Sequence, residues 1–321
     1  MEKIKKIGLL TSGGDACGMN AVIRSIVRYS IYSGLGVVGF YEGYKGLIEN
    51  NFKELNLNSV GGIIDRGGTF LYSARSEEFR TREGQRKAID SLQKNKIDGL
   101  IVIGGDGTFR GAHDLHKQGI KVIGIPATID NDIAGTDYSI GFDTALNVII
   151  DIMSKIRDTA SSHDRIFVVE VMGRNSGIIA VNSGVACGAD YILIPEVKAD
   201  IAKMASEIKN HREGKRHILI IVAEGAAKAS DVAASIKLLA GHEVRVSVLG
   251  HIQRGGSPSA LDRILSAKFG EKAVTLLLDG KSDCMVAVKG MKIEAVDFEY
   301  IFNNRKEIDL DLYNLAHILS L

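Results

Sequence analysis

The chain has 321 residues, of which 45% are hydrophobic and 25% are charged, and its formal net charge is +1. This length suggests about two domains with their own cores, and the balanced charge gives no global attraction to nucleic acid or anionic membranes. Apolar runs fall short of the roughly 20 residues of a membrane span. The basic start MEKIKKIGLL has too short an apolar part for a signal peptide, so we expect a cytoplasmic protein.

Short β-rich runs recur along the chain, and most are continuously apolar rather than alternating. The eight predicted strands are residues 7–10, 37–41, 100–103, 122–125, 166–171, 191–194, 218–222 and 244–249. Helical periodicity lies between them, for example in residues 146–156 and 201–208. This alternation predicts an open α/β fold with mainly parallel sheets and helices on both faces. A small strand pair and a terminal helix are expected in residues 283–321.

The glycine-rich loop GGDGT, residues 104–108, follows one of these strands. Glycine lets the backbone approach a ligand closely, and the next helix offers free N–H groups, so the loop predicts a phosphate cradle. Asp106 is suited to hold Mg²⁺ beside phosphate. A tight turn with an aspartate cap is the structural alternative for the same GGDGT segment. SGGD at residues 12–15 predicts a second cradle, and neither loop matches the P-loop or dinucleotide-binding fingerprint.

The segment IPATIDNDI, residues 125–133, places Asp130 and Asp132 directly after a predicted strand. A carboxylate within reach of a substrate hydroxyl takes its proton as the oxygen attacks, which phosphoryl transfer requires. An Asx-turn with one solvated carboxylate is the structural alternative. Arginines recur in other loops and suit phosphate, and His251 with Arg254, beside a Gly-Gly-Ser-Pro turn, form the most suggestive basic pair.

Taken in order, the motifs resemble those of bacterial ATP-dependent 6-phosphofructokinases. They are LTSGGDACGMNAVIR, GGTFLYSAR, VIGGDGT, TIDNDIAGTDYSIGFDTA, RDTASSHDR, VEVMGRNSG, VAEG and LGHIQRGGSP. The resemblance covers residues 6–278 and implies transfer of the γ-phosphoryl group of ATP to O1 of fructose 6-phosphate with Mg²⁺, the committed step of glycolysis. It also implies a homotetramer and two open three-layer α/β domains. The expected domains are an ATP-binding domain at residues 1–140 plus 252–303 and a sugar-phosphate-binding domain at residues 141–251 plus 304–321.

The resemblance assigns roles to individual residues. Asp130 matches the catalytic base, Asp132 a second acid, and Arg174 an arginine that stabilises the transferring phosphoryl group, which Thr128 also contacts. The ATP-site matches are Gly14, Tyr44, Arg75, Ser76, Gly105, Asp106, Gly107 and Thr108, with Asp106 linked to magnesium. The sugar-phosphate matches are Thr128, Ile129, Asp130, Met172, Gly173, Arg174, Glu224, His251, Ile252, Gln253 and Arg254, with Arg165 and Arg245 reaching from a neighbouring subunit.

Three active-site positions differ among relatives and bear on the phosphoryl donor or on loop chemistry. Pyrophosphate-using relatives carry Asp in place of Gly107 and Lys in place of Ala127, so the residues present here favour ATP. Ala127 is itself a departure, because ATP-using relatives usually have glycine there. Cys17 stands where proline is usual, and its thiol predicts some sensitivity to oxidants.

The family binds ADP or phosphoenolpyruvate as effectors between subunits. The residues that fit this pattern are Arg24, Arg28, Arg157, Gly188, Asp190, Lys215, Arg216 and His217. Leu57, however, replaces a usual arginine, Asp190 replaces a usual glutamate, and the loop at residues 210–217 looks one residue short. One lost charge-assisted contact costs about 1.5–3 kcal/mol, comparable to an allosteric coupling of about 1–3 kcal/mol. We therefore expect weakened regulation.

Other functions remain open from the sequence. Within enzymes they are a pyrophosphate-dependent version, a kinase for another sugar phosphate, and an NAD kinase, which shares GGDG but has no use for HIQRGG or MGRNSG. An alternative outside the enzymes is a catalytically inactive regulator that binds nucleotides. The presence of Asp106, Asp130, Asp132 and Arg174 argues against that reading.

Overall fold

The structure is a computed structural model that describes residues 4–163, 165–210 and 217–320. The strands are β1 (Lys6–Thr11), β2 (Gly36–Phe40), β3 (Phe52–Leu55), β4 (Gly99–Gly104), β5 (Val122–Pro126), β6 (Ile166–Val171), β7 (Tyr191–Leu193), β8 (Ile218–Ala223), β9 (Val244–Val248), β10 (Cys284–Lys289) and β11 (Lys292–Asp297). The helices are α1 (Met19–Tyr32), α2 (Tyr44–Ile48), α3 (Arg82–Lys94), α4 (Asp106–His116), α5 (Phe142–His163), α6 (Ile178–Cys187), α7 (Ile201–Asn210), α8 (Ala229–Ala240), α9 (Ala260–Leu278), α10 (Phe298–Asn303) and α11 (Leu310–Leu319).

The chain divides into two compact units. The first consists of Met1–Thr144 and Arg254–Lys306, and the second of Ala145–Gln253 and Glu307–Leu321. Each unit has its own sheet, in the order β11-β10-β5-β4-β1-β2-β3 in the first and β7-β8-β6-β9 in the second. The described part of the chain contains no helix that is long and apolar enough to cross a membrane.

The first sheet is parallel at its centre and antiparallel at both edges. Strands β5, β4, β1 and β2 run parallel, whereas β3 pairs antiparallel with β2 and β11 antiparallel with β10. The central strands are buried along almost their whole length, which explains their continuously apolar sequences. Helices α3, α4 and α10 pack in one core cluster with this sheet, and α1 and α9 pack together beside it.

The second sheet is parallel throughout, with β6 between β8 and β9. Its core is aliphatic and joins strands β6, β7 and β8 to helices α7 and α8. Strand β9 lies at an edge, and its alternating sequence VRVSV leaves Val246 and Val248 exposed. This edge strand therefore differs from the buried strands beside it, as an edge position permits.

The predicted fold class is confirmed, and all eight predicted strands are present. The C-terminal strand pair and the terminal helix are also present, as β10, β11 and α11. The prediction missed β3, whose sequence FKEL is mostly polar and exposed. An edge strand of this kind takes its hydrogen bonds from β2 and buries little side chain, so it leaves only a weak sequence pattern.

Candidate active site

Three loops leave the first sheet at the same level, at the carboxyl ends of β1, β4 and β5. The register pairs Thr11 with Ile103, and Ile103 with Ile125, so the three strands end in one row. In open α/β sheets ligands bind beyond these ends. The loops that follow are residues 12–18, 105 and 127–141, and together with the first turn of α4 they contain most of the predicted first-unit site residues.

The loops after β1 and β4 are in direct contact. The Thr108 hydroxyl donates to the Ser12 carbonyl at 3.1 Å, and the Ser12 amide donates to the Ile103 carbonyl at 3.0 Å. A Cβ on Gly104 would lie 2.4 Å from both the Ser12 oxygen and the Thr108 hydroxyl, so only glycine fits there. This close approach joins the two predicted phosphate loops into one surface.

Asp106 lies at the start of α4, where the N-cap residue Gly105 provides no side chain to cover the helix amides. Its carboxylate is 51% exposed and accepts a hydrogen bond from Arg110 Nε at 2.9 Å. A Cβ on Gly105 or Gly107 would meet no atom within 4 Å, so the space above this helix end is open. An exposed carboxylate oxygen beside the uncapped start of a helix fits Mg²⁺ that is bound together with phosphate. Among the described residues no cluster of three or more acidic, histidine or cysteine side chains forms a metal cage.

Arg254 brings a positive charge to the first glycine loop. Its Nη1 donates to the Asp15 carbonyl at 2.9 Å and lies 3.8 Å from the Asp15 carboxylate. A Cβ on Gly14 would sit 2.4 Å from the same Nη1, so the guanidinium would have to shift to admit a side chain there. The buried Nε of Arg254 has no hydrogen-bond partner among the described residues. A donor left free in this way suits an anionic ligand.

The other predicted ATP-site residues of the first unit differ in exposure: Tyr44 is buried, Ser76 is partly buried and Arg75 is exposed. Tyr44 is 4% exposed, stacks on Phe79 at 3.9 Å, and donates its hydroxyl to the Thr108 carbonyl at 2.6 Å. Burial raises the pKa of Tyr44 well above its ordinary value. Ser76 accepts a bond from the Phe79 amide, whereas Arg75 is exposed. Tyr44 thus supports the first turn of α4 from behind.

The loop after β5 buries one aspartate and exposes the other. Asp130 is 1% exposed, and its amide donates to the Thr128 hydroxyl at 3.2 Å, whereas Asp132 is exposed. Between them Asn131 has φ 50°, a left-handed conformation that non-glycine residues seldom adopt without support. The Asn131 side chain supplies that support, since it bonds the Asp137 carbonyl and the Ser139 amide. Ile129 is buried beside them.

In the second unit, a tight turn follows β6 and is held by a carboxylate from the end of β8. Glu224 Oε1 accepts the Gly173 amide at 3.2 Å and the Arg174 amide at 2.8 Å. Gly173 has φ 138° and Arg174 φ 52°, so the turn adopts a strained conformation that the carboxylate stabilises. The Arg174 side chain is exposed. Predicted sugar-site residues from two adjacent strand ends therefore meet here.

Gln253 and its neighbours lie close to this turn. Gln253 is fully buried, accepts the Met172 amide at 3.2 Å, and donates to the Gly250 carbonyl at 2.9 Å. His251 and Ile252 in the same short 3-10 segment are exposed. Gln253 therefore positions the turn, and the two residues before it are open to solvent.

Arg165 and Arg245 lie at the other end of the second sheet. Arg165 comes just before β6, and Arg245 pairs with Phe167 near the start of that strand. Six strand residues at about 3.3 Å each place them roughly 20 Å from the turn that Glu224 holds. Within the second unit, these arginines cannot reach a ligand that binds at that turn.

The predicted effector residues fall into separate groups. Arg24 and Arg28 line a hollow of ≈ 320 Å³ in the first unit, beside α1 and α9. In the second unit Arg157 Nη2 contacts the Gly188 carbonyl at 3.5 Å, and the Asp190 carboxylate accepts the Leu219 amide at 2.8 Å. His217 is half-buried. Lys215 and Arg216 lie outside the described residues, as does most of the loop at residues 210–217.

One expectation about Cys17 is wrong. The residue is 1% exposed, and its thiol donates to the carbonyls of Arg254 and Gly256, both at 3.2 Å. Burial, with smaller contributions from Asp262 and Asp15, raises the pKa of Cys17 to about 11. The oxidant-sensitive form of cysteine is the exposed thiolate, so this thiol is protected rather than sensitive.

Comparison with known proteins is consistent across sequence and structure. The sequence model of one family, described as Phosphofructokinase, matches residues 6–277. Relatives from Halalkalibacterium halodurans and Clostridioides difficile, both named ATP-dependent 6-phosphofructokinase, are 52% and 53% identical over 319 residues, which cover 99% of this chain and 100% of each relative.

Two solved structures share the architecture. Phosphofructokinase from Saccharomyces cerevisiae superposes with a TM-score of 0.88 at 36% identity, covering 98% of this chain and 48% of the yeast chain, so this chain spans about half the yeast protein. A pyrophosphate-dependent phosphofructokinase from Marinobacter aquaeolei has a TM-score of 0.86 at 22% identity, over 96% of this chain and 86% of its own, and shares the fold. By family match and by full-length relatives alike, this chain belongs to the phosphofructokinase family.

Proposed function

We propose that this chain is an ATP-dependent 6-phosphofructokinase, which converts fructose 6-phosphate and ATP to fructose 1,6-bisphosphate and ADP in glycolysis. The full-length relatives at 52% and 53% identity carry that name. The observation that supports the chemistry most directly is the position of Asp130, in the loop after β5, beside the glycine loops that follow β1 and β4.

The proposed reaction needs a base, a phosphoryl donor site and positive charge. Asp130 takes the proton from the O1 hydroxyl as that oxygen bonds to the γ-phosphorus, and the bond between the γ-phosphorus and the β–γ bridging oxygen breaks. ADP leaves with the electron pair of that bond. Asp132 adds a second carboxylate to the same turn, and Thr128 lies at its start.

The donor surface is formed by the loops after β1 and β4. The start of α4, which has no side-chain cap, suits the phosphates of ATP. Asp106 would hold Mg²⁺, which neutralises charge on the donor phosphates when bound. The exposed Arg75 and the nearby Ser76 extend the same surface. Arg254, which is fixed beside Gly14, is proposed to contact the sugar phosphate.

ATP rather than pyrophosphate is the proposed donor. The open space around Gly107 leaves room for the α-phosphate, which an aspartate carboxylate there would crowd and repel. Ala127 is 1% exposed and offers no cation in place of the lysine that pyrophosphate-using relatives carry. Ala127 is held in place by its amide, which donates to the Gly104 carbonyl at 2.9 Å.

The second unit is proposed to bind the sugar phosphate, and the first unit to bind ATP. The turn of Met172, Gly173 and Arg174 is preorganised by Glu224, and exposed His251 adds a group suited to phosphate. Arg174 is proposed to stabilise the transferring phosphoryl group. Preorganised groups of this kind contribute because they need no rearrangement during reaction.

Arg165 and Arg245 are proposed to bind the 6-phosphate in the site of a neighbouring subunit, within a cytoplasmic homotetramer. Their position at the far end of the second sheet supports this role, because they are too distant from the Glu224 turn of their own chain. The exposed edge strand β9, with Val246 and Val248, provides an apolar surface suited to subunit contact.

Regulation by ADP and phosphoenolpyruvate is proposed to be weak. Leu57 is 45% exposed where an arginine is usual, and the Asp190 carboxylate is already bonded to the Leu219 amide. The effector site would therefore have one cationic side chain fewer than in relatives with the usual arginine, and its acidic side chain would be shorter than the usual glutamate.

The testing experiment measures fructose 1,6-bisphosphate formation from fructose 6-phosphate and Mg²⁺, with ATP and pyrophosphate in parallel. We expect turnover with ATP only, and a loss of roughly 10³–10⁵-fold in the variant Asp130→Asn, since loss of the base is compounded by loss of a charge from the site. Asp65→Asn, in an exposed loop, is the matched control and should retain wild-type activity.

Each contrary outcome points to a different error. Turnover with pyrophosphate would contradict the donor argument from Gly107 and Ala127. If neither ATP nor pyrophosphate supports turnover, the chain phosphorylates an acceptor other than fructose 6-phosphate or has a regulatory role. An Asp130→Asn variant with near-normal turnover would show that another group is the base.

A further inference from the structure

One anchor of the loop that carries Asp130 and Asp132 is the backbone carbonyl of Asp137. Asn131 Nδ2 donates to this oxygen at 3.0 Å. Lys306 Nζ donates to the same oxygen at 2.8 Å, although Lys306 is 169 residues away in sequence. Two donors from distant parts of the first unit thus converge on one acceptor next to the aspartate pair.

The Asp137 carbonyl is itself fixed by the turn between β10 and β11. The Asp137 amide donates to the Val288 carbonyl at 2.8 Å, and its carboxylate accepts the Gly290 amide at 2.6 Å. Because the acceptor is held on the sheet, its bond to Asn131 fixes the left-handed residue between the two aspartates. Lys306 is the second donor to this carbonyl.

Lys306 also brings a positive charge near Asp132, the exposed member of the aspartate pair. The side chain is partly buried in the segment after α10. The pKa of Lys306 is lowered to about 8, because the effect of burial outweighs that of the negative charges of Asp137 and Asp132, which raise it. The ammonium is therefore still mostly protonated at neutral pH. Two carboxylates separated by one residue repel each other, and a cation held near one of them offsets that repulsion.

We propose that Lys306 is a positioning residue of phosphoryl transfer, which holds the turn of Asp130, Asn131 and Asp132 through the Asp137 carbonyl and places a positive charge near Asp132. This inference rests on the proposed function. In this arrangement Lys306 binds no substrate, so its loss misplaces the base and lowers kcat, while substrate binding is retained. Misplacement by about 1 Å is enough to cost roughly 100-fold in rate.

The experiment compares three substitutions that separate charge from hydrogen bonding. Lys306→Arg keeps a cation and a donor, Lys306→Gln keeps a donor alone, and Lys306→Met keeps neither. Arg305→Met is the matched control, because it removes the same formal charge from an exposed neighbour. For each variant, kcat and the KM for ATP and fructose 6-phosphate are measured, and thermal unfolding is recorded.

We expect kcat to fall about 10- to 100-fold in Lys306→Met, with both KM values within about threefold of wild type. Lys306→Gln should lie between Met and wild type, and Lys306→Arg and Arg305→Met should stay within about threefold of wild-type kcat. If Lys306→Met does not fold, the inference is tested by comparing kcat of Lys306→Gln with kcat of Lys306→Arg.

Two results would overturn the inference while leaving the proposed function intact. The first is an active wild-type enzyme whose Lys306→Gln and Lys306→Met variants both keep wild-type kcat. The second is a KM for fructose 6-phosphate that rises more than about tenfold at unchanged kcat, which would make Lys306 a substrate ligand. Failure of the wild-type chain to use ATP and fructose 6-phosphate would refute the proposed function instead.

Discussion

Two glycines in the proposed donor surface are required for different reasons. At Gly14 a Cβ would lie 2.4 Å from Arg254 Nη1, so a side chain there would displace the guanidinium from its bond to the Asp15 carbonyl. At Gly107 a Cβ would meet nothing within 4 Å, so the folded chain tolerates a side chain there and any requirement for glycine comes from a ligand. Packing within the protein thus bears on the glycine at Gly14, whereas ligand binding bears on the glycine at Gly107.

Leu57 provides a residue-scale test of the regulation proposal. The variant Leu57→Arg should restore part of the response to ADP or phosphoenolpyruvate, because one charge-assisted contact to phosphate contributes about 1.5–3 kcal/mol. The measurement is the effector concentration that shifts the fructose 6-phosphate saturation curve, in wild type and variant. We expect this concentration to fall roughly 10- to 100-fold in the variant.

Leu57→Met is the control for this test, because it keeps an apolar side chain of similar size at the half-exposed position. Strong sigmoidal kinetics in the wild type, already shifted by low effector concentrations, would contradict the proposal of weakened regulation. So would a Leu57→Arg variant that responds no better than Leu57→Met.

At the scale of elements, the loop after β5 is fixed at both of its ends. Its first residue, Ala127, forms a bridge with Ile140, and the segment that follows Ile140 is held by the buried Asp262 of α9. The Asp262 carboxylate accepts the Gly141 amide at 2.8 Å, the Thr144 amide at 2.9 Å, and the Thr144 hydroxyl. Helix α9 therefore fixes the start of α5 directly after the aspartate turn.

Removal of this anchor should destabilise the protein. Asp262→Ala leaves two buried amides and a hydroxyl without their acceptor, and we expect the free energy of unfolding to fall by about 2–4 kcal/mol. Urea denaturation followed by circular dichroism measures the change. Asp279→Ala, at the exposed opposite end of α9, is the matched control and should change stability by less than about 0.5 kcal/mol. Equal stability of the two variants would show that the Asp262 hydrogen bonds contribute little.

At the scale of the whole molecule, the position of Arg165 and Arg245 predicts that active sites are shared between subunits. Chains with Asp130→Asn and chains with Arg245→Ala should each be nearly inactive in homogeneous assemblies. In mixed assemblies, some sites combine an intact Asp130 with an intact Arg245 from the neighbouring chain, so activity should return. The measurement is the specific activity of co-expressed, doubly tagged assemblies.

A second pair of chains controls for nonspecific recovery. Asp130→Asn combined with Asp106→Asn places both changes in the first unit, and we expect no recovery there. If the Asp130→Asn and Arg245→Ala mixture also stays inactive, each chain uses its own Arg245. The far position of that arginine in the second sheet would then need another explanation.

The sequence by itself determined the fold class, eight of the strands and the loops that carry glycines and aspartates, because these depend on local periodicity and on residues adjacent in the chain. It did not reveal β3, since a polar edge strand is defined by its pairing with β2. Only the tertiary structure brought Lys306 to the Asp137 carbonyl across 169 residues, and only the register of β6 and β9 placed Arg245 far from the Glu224 turn. Contacts of this kind depend on how distant segments pack, and no short pattern in the sequence encodes them.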